Sequence, residues 1–396
     1  MAKNAADRIR DAGSAIAEIF RGGELAIIGI IAVVCGRGAK NDAAKLRRLS
    51  DQATRRSYEA QVNAALAELQ AQAQQEARRQ LAEMYQRTAE EIEAFADSLA
   101  LDNGGAELIT AESEALAREA EDAFAALEPE LRQAAMEAQE AVDSAMRELT
   151  QSWIDGLRHM RRSADDIYRQ VVEAEAENRD AGGTAVRRAV DAALRRFADS
   201  GVTGFTDKAG RSWGLAEYSD MAMRTAMQRV NLAATLRSMI SHGLDVGYVN
   251  RHMGACPKCL PWHGRLISIT GRTSGYPTLQ EAMLDGLFHP NCAHILQAYI
   301  PGVSRLDIGA PIDYSDSDNN RLFLARQQQR AMEREVRKWK RRQAAATNSA
   351  DELTARRMVS EWQRRLREHV ACNNQLVRRY DREGGRVRSI ASLQEV

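Results

Sequence analysis

A long stretch of helical periodicity is the feature that most constrains the fold of this chain. Between Tyr58 and Leu99, twelve apolar or small residues recur about every 3.7 positions, close to the 3.6 of a straight α-helix. A strict left-handed coiled coil would repeat every 3.5 positions. The pattern predicts one long amphipathic helix over 40–100, which Leu101–Gly105 ends with two glycines.

Helical periodicity resumes near Thr110, continues past Pro129 to Asp180, and returns over 185–200 after the glycines at 182–183. Aromatic residues make up only 5% of the 396 residues, and prolines number 7. Such a composition is typical of long helices and argues against a β-sandwich or barrel. The sequence therefore predicts a mainly α protein.

An apolar run, Leu25–Cys35, lies in the N-terminal segment. Its eleven residues are too few to span a bilayer, which takes about 20. The acid-containing stretch before it is unlike the short basic start of a signal peptide. The run is predicted to be a buried helix or strand, while contact of residues 25–35 with a membrane or a partner stays open.

The charge is balanced overall, with 55 basic and 55 acidic residues, but it is distributed unevenly. The balance argues against a wholly basic nucleic-acid coat or a wholly acidic disordered chain. Residues 51–150 carry 8 basic and 22 acidic residues, whereas residues 321–388 carry 19 and 8. The acidic helices are predicted to present a solvated face, with a docking surface for a basic partner as the alternative.

A compact part is predicted over 201–303, which holds 8 of the 21 aromatic residues and 12 of the 26 glycines. Its predicted elements are a turn-rich loop over 201–210, a helix over 215–242, a short helix over 278–285 with Thr278 as N-cap, and strands over 246–250, 265–270 and 295–300.

Four regions follow along the chain: 1–50, an N-terminal segment with the apolar run; 51–200, the long helices; 201–303, a small α+β core; and 304–396, a polar linker and a basic helical tail with helices over 321–342 and 355–380.

Cysteine and histidine side chains recur with metal-ligand spacing inside the α+β core. Cys256 and Cys259 form a CxxC pair, and His289 and Cys292 form an HxxC pair about 30 positions later. Two such pairs can close a tetrahedron, and thiolate with imidazole favours zinc. The sequence predicts a structural zinc site on these four residues that stabilises the module, with His294 as a possible alternative ligand.

Catalytic interpretations of the same residues are weaker. The CxxC precedes no helix that would favour a redox thiolate. Cys292 could act as a nucleophile together with His289 or His294. A metal-dependent nuclease would need a further base at the metal, for which His263, His252 and Asp285 are nearby in the sequence. The sequence contains no GxxxxGK[ST], GxSxG or HExxH motif. We therefore expect no enzymatic activity, and a nuclease or toxin-like effector on the Cys/His site is the alternative.

Basic residues cluster around Trp339 in the tail. The candidate phosphate-binding residues are Arg334, Arg337, Lys338, Lys340, Arg341 and Arg342. A solvated basic helix, a nucleic-acid contact and a contact with an acidic protein surface are all compatible with this pattern.

Several ordered segments resemble the phage minor capsid proteins, a group related to the Mu-F-like minor head proteins. The similar segments are Gly204-Phe205, Asp207 to Arg211, Tyr218 with Arg224-Thr225, Cys256-Pro-x-Cys259-x-Pro-Trp262-x-Gly264-Arg265, Ser268 to Gly271, Tyr276-Pro277, Gly286 to Cys292 with His294, Tyr299 to Gly302, and Gln329-Arg330 to Arg342. The pattern departs at Ala293, where the family commonly has Arg, and at His263.

The resemblance implies a low-copy structural protein of a tailed-phage head that associates with the portal and the capsid interior. It implies no firmly assigned enzymatic activity. Portal and capsid proteins are the implied partners, and packaged or ejected DNA is a possible partner through the basic tail. The implied location is the virion, with the host cytoplasm during assembly.

Overall fold

In a computed structural model of the chain, the described residues are 4–35, 51–103, 138–177, 183–201, 203–206, 212–300, 304 and 315–384. The described part is mainly helical, as predicted. Its α-helices are α1 (Ala5–Val34), α2 (Gln52–Asn103), α3 (Ala138–Glu177), α4 (Gly183–Ser200), α5 (Leu215–Ser241), α6 (Leu279–Leu284), α7 (Asp316–Ala345) and α8 (Ser349–Ala371).

Short strands and two 3₁₀ turns complete the described elements. They are β1 (Thr203–Thr206), β2 (Ser212–Gly214), β3 (Val246–Val249), β4 (Leu266–Ser268), β5 (Leu296–Ala298), and the 3₁₀ turns Leu260–Trp262 and Tyr380–Glu383. Parts of the predictions lie outside the described residues: 40–50, 104–137, 207–211, 301–303 and 305–314.

Residues divide into two compact units. Unit 1 comprises Met1–Gly13, Gln74–Thr150 and Asp220–Leu324, and unit 2 comprises Ser14–Ala73, Gln151–Ser219 and Ala325–Val396. This is a division by packing, and the four regions drawn along the sequence stay a prediction.

The apolar run forms the last part of α1 and is buried as a helix, as predicted. Ile27, Ile28, Ile31 and Cys35 are fully buried. Within unit 2, Phe20 of α1 lies 5.6 Å from Trp153 of α3, measured between ring centroids. Across the described part of the chain, no helix combines the length and the hydropathy that a bilayer crossing requires.

Apolar positions of α2 bury one face of that helix. Tyr58, Val62, Ala73, Ala77, Leu81 and Met84 are all buried. In unit 2, Tyr58 stacks on Tyr168 of α3 with ring centroids 4.4 Å apart. The periodicity therefore identifies the packed side of this helix correctly.

The prediction of a loop over 201–210 is wrong in part, because Thr203–Thr206 is a strand. β1 pairs antiparallel with β2, and the register shifts between Thr203 and Phe205. Threonine and aromatic residues favour extended backbone, but the glycines among them mask that pattern in the sequence.

The tail helices differ from their predicted limits. α7 begins at Asp316, five positions before the predicted start, because Ser315 and Asp318 form reciprocal hydrogen bonds that cap it. α8 begins at Ser349 behind the N-cap Asn348 and ends at Ala371 rather than at residue 380. Asn373 Nδ2 donates to the His369 carbonyl (2.7 Å), which satisfies an acceptor of the last turn.

The α+β part of unit 1 agrees with its predicted elements to within a few residues. α5 ends before Gly243, whose φ of +69° is the left-handed conformation expected after a helix. β3 is the centre of an antiparallel sheet of order β4-β3-β5. Thr278 caps α6 in a full capping box with Glu281, as predicted for the N-cap.

Candidate metal centre

The CxxC pair lies in a tight turn between β3 and the 3₁₀ turn Leu260–Trp262. Both the Cys259 and the Leu260 amides donate to the Cys256 carbonyl at 3.1 Å. Pro257 occupies the second position of the turn, where a fixed φ near −65° is favoured. The local sequence thus brings the two cysteines to one side of a single turn.

A second turn presents the HxxC pair. The Cys292 amide donates to the His289 carbonyl at 2.9 Å, with Pro290 and Asn291 at the centre of the turn. Asn291 has a φ of +67°, which the third position of a type II turn requires and asparagine tolerates. Phe288 also has a positive φ of +57°, uncommon for a bulky residue and frequent near functional sites.

The two turns bring their ligand atoms together. Cys256 Sγ lies 3.0 Å from His289 Nε2, and Cys259 Sγ lies 3.6 Å from Cys292 Sγ. Tetrahedral zinc with Zn–S near 2.3 Å places two sulfurs roughly 3.8 Å apart. Ligand atoms of Cys256, Cys259 and His289, and likewise those of Cys259, Cys292 and His294, lie within 4.8 Å of one another.

Thiolate character is concentrated on Cys292. Hydrogen bonds from Cys259 and, to a smaller extent, from His294 lower the pKa of Cys292 to about 4, against the opposing effect of burial. The same hydrogen bond and burial raise the pKa of Cys259 far above that of an ordinary thiol. Because its pKa is lowered, Cys292 is a thiolate near neutral pH. The thiolate is the form of cysteine that binds metal.

His289, in the second turn, and His294, just after it, contact the cysteines differently. His289 Nδ1 lies 2.8 Å from the Pro290 carbonyl, and a proton donated there leaves the Nε2 lone pair facing Cys256. His294 Nδ1 and the His294 backbone amide both lie 3.4 Å from Cys292 Sγ. The geometry suits His289 as a ligand and His294 as a donor to a ligand sulfur.

Asp245 braces the sheet behind the centre, a role that sequence analysis missed. Its carboxylate accepts hydrogen bonds of 2.6 to 3.0 Å from the Ser268 hydroxyl and from the amide and hydroxyl of both Thr270 and Thr273. Burial opposes ionisation, yet these bonds hold the pKa of Asp245 below its ordinary value. The side chain ties β3 to β4 and the loop that follows it.

Asn319 of α7 anchors the chain just before the CxxC turn. Its Oδ1 accepts from the Gly254 and Ala255 amides at 2.8 and 3.0 Å, and its Nδ2 donates to the Ala255 carbonyl at 3.1 Å. Asn319 is buried. A sequence signal for this contact is lacking because its partners are more than sixty positions away.

Two further histidines approach His294 in the same unit. The ring centroids of His252 and His263 lie 4.3 and 4.6 Å from that of His294. Burial is the largest cause that lowers the pKa of His263 to about 3, with neighbouring charge on His294, His252 and Arg251 adding to it. The His263 ring is therefore a neutral imidazole near neutral pH.

Most of the predicted phosphate-binding cations make contacts inside unit 2. Arg337 is buried and pairs with Glu217 at 2.7 Å, and Arg342 pairs with Asp199. Arg341 and Lys340 donate to backbone carbonyls at 2.9 and 2.7 Å. Lys338 lies 4.0 Å from Glu335.

Arg334 differs from the other five candidates because its side chain is exposed. The tail helices therefore use most of the cluster for packing.

The chain is similar to known structural proteins of phages. A family model described as phage minor capsid protein 2 matches residues 46–371. A protein of Lactococcus phage LL-H named structural protein is 28% identical over 194 residues, which are 46% of this chain and 51% of that protein. The chain thus spans about half the length of that relative.

A second relative is matched over nearly its whole length. A protein of Lactococcus phage mv4, also named structural protein, is 34% identical over 114 residues, which are 27% of this chain and 90% of that protein. No solved structure matches the chain.

Proposed function

The chain belongs to the phage minor capsid protein 2 family, and on that premise we propose that it is a low-copy component of a tailed-phage head that associates with the portal and the capsid interior. The observation that carries the proposal is the family match over 46–371, which includes α2 to α8 and the candidate metal centre. Assembly takes place in the host cytoplasm, and the mature location is the virion.

Cross-linking of purified heads followed by mass spectrometry tests the placement. Exposed side chains of the acidic α2 are suitable attachment points, for example Glu90 and Glu93. We expect cross-links to the portal protein. We also expect the copy number of this chain in the head to be far below that of the major capsid protein. Cross-links to the major capsid protein alone, distributed over the whole shell, would refute it.

We further propose that Cys256, Cys259, His289 and Cys292 bind one structural zinc ion. The support is the pair of Pro-containing turns, the 3.0 and 3.6 Å separations between ligand atoms, and the thiolate character of Cys292. Four protein ligands would close the coordination shell, which leaves no position for a substrate. The ion would add folding free energy to a module of short strands, on the order of 10 kcal/mol in small zinc modules.

Zinc content of the purified full chain tests this site. We expect Cys256→Ser to lower the content by one ion per chain and to make residues 244–300 sensitive to protease. Cys372→Ser is the matched control, because Cys372 is exposed and far from the centre in sequence. A wild-type zinc content in Cys256→Ser would reject the assignment.

The family is one of structural phage proteins, so a metal-dependent nuclease is not favoured. A weak, sequence-independent contact of the tail with DNA is the remaining proposal. Arg334 of α7 and Arg356, Arg357 and Arg367 of α8 are exposed and would carry it.

Salt dependence tests the DNA contact. Affinity should fall steeply between about 50 and 200 mM salt if several phosphates are contacted. Binding that is independent of salt, or absent at low salt, would assign the tail to protein contacts.

A further inference from the structure

Three histidines converge beside the cysteine centre in unit 1. One ring nitrogen each of His252, His263 and His294 lies within 4.8 Å of the other two. His263 and His294 are buried, and His252 is half-buried. The cluster therefore has a closed inner side and one side nearer to solvent.

Each histidine comes from a different segment of the fold. His252 follows β3, His263 follows the 3₁₀ turn Leu260–Trp262, and His294 precedes β5. Their ring centroids are 4.3 to 5.4 Å apart. A single bound ion would connect these three segments directly.

His294 is oriented toward this cluster by its contact with the cysteine centre. Its Nδ1 and its backbone amide both lie 3.4 Å from Cys292 Sγ. The opposite ring atom, Nε2, is buried and makes no hydrogen bond with the described residues. A buried acceptor of this kind costs free energy unless a proton or a cation meets it.

A bound cation would accept a lone pair from each of the three rings at once. Imidazole is a preferred ligand of zinc, copper, nickel and iron among first-row metals.

We propose that His252, His263 and His294 form a second metal site, which binds a divalent first-row transition-metal ion such as Zn²⁺ or Co²⁺. Three protein ligands leave a fourth position for solvent or for an added ligand. The site is distinct from the four-ligand cysteine centre, and it does not depend on the chain's role in the phage head.

Metal stoichiometry of the full chain is the first test. The chain is stripped with a chelator, reloaded with Zn²⁺ or Co²⁺, and analysed for bound metal. The proposal expects two ions in the wild type and one in His252→Ala, whose substituted side chain is the least buried of the three. Thiolate-to-Co²⁺ charge-transfer absorption should stay unchanged in His252→Ala, because the cysteine ligands are intact.

His242→Ala is the matched control, since His242 lies in the same unit and its ring bonds to Ser238 and Ser241 at the end of α5. It should keep two ions. Equal stoichiometry in wild type and His252→Ala, with His252→Ala folded by circular dichroism, would overturn the proposal.

X-ray absorption of the zinc-loaded wild type is independent of any variant. With both sites filled, the three sulfurs of the cysteine centre average to ~1.5 sulfur ligands per zinc, whereas the cysteine centre filled alone gives three. An average of three, with one ion per chain, would overturn the second site and leave the cysteine centre standing. Failure of the cysteine centre would instead show as an average near zero sulfur ligands.

Discussion

Replacement of Asp245 by asparagine tests the scaffold that supports the candidate metal centre. Asp245 Oδ1 accepts from the Thr270 amide and hydroxyl, and Oδ2 accepts from Ser268 and from the Thr273 amide and hydroxyl. The asparagine amide can face only one of these sets with its oxygen. Its NH₂ group then faces at least one backbone amide that has lost its acceptor.

The magnitude follows from those bonds. An unsatisfied buried donor costs about 1–3 kcal/mol, and hydrogen bonds to a charged group are worth about 1.5–3 kcal/mol each. Because the terms are not additive, we expect Asp245→Asn to destabilise β3 and β4 by about 3 kcal/mol. That free energy corresponds to a roughly hundredfold faster exchange of protected amides.

Hydrogen–deuterium exchange resolved by peptide is the assay, applied to β3 and β4. Asp285→Asn is the control, because Asp285 is exposed on the same unit. The pKa of Asp245 is below its ordinary value when folded, so its stabilisation is present above about pH 4 and is lost as the pH falls through the folded pKa. Wild-type exchange rates in Asp245→Asn at neutral pH would refute the argument.

Two substitutions extend the test to packing and to buried charge. Gly247→Ala should destabilise the sheet by about 1–3 kcal/mol, because its Cβ would lie 2.6 Å from Leu296 Cδ1 in the core; unchanged β3 exchange would contradict this. Arg337→Met should cost about 3 kcal/mol in thermal unfolding, because it removes the 2.7 Å partner of Glu217 and leaves that carboxylate the longer 3.9 Å pair with Arg21. Arg334→Met, at an exposed position, should change stability by less than about 0.5 kcal/mol, and equal effects of the two would contradict the assignment of Arg337 to packing.

Elements with local signals were predictable from the sequence. The end of α5 was set by Gly243, and the start of α6 by a Thr-x-x-Glu box at Thr278. The turns of the metal centre are also local, since Pro257 and Pro290 fix the backbone of each pair. The contact between the two turns was inferred only from the spacing of the cysteines and histidines in the sequence. Zinc binding stays a prediction.

Apart from the meeting of the two cysteine-containing turns, contacts between distant segments were not predictable. His252 and His294 meet because β3 pairs with β5, a topology that no single segment encodes. Arg337 appeared as a free phosphate-binding cation because its carboxylate partner, Glu217, lies far away in the sequence. The start of α7 was missed because Ser315 and Asp318, which cap the helix, have the polar character expected of a linker.

The central claim is that this family member is a low-copy component of the phage head. Quantitative mass spectrometry of density-purified virions, with the major capsid protein as internal standard, tests it most directly. Purified particles should contain peptides from this chain, at a small fraction of the copies of the major capsid protein. Peptides found in infected cells but absent from purified virions would contradict it.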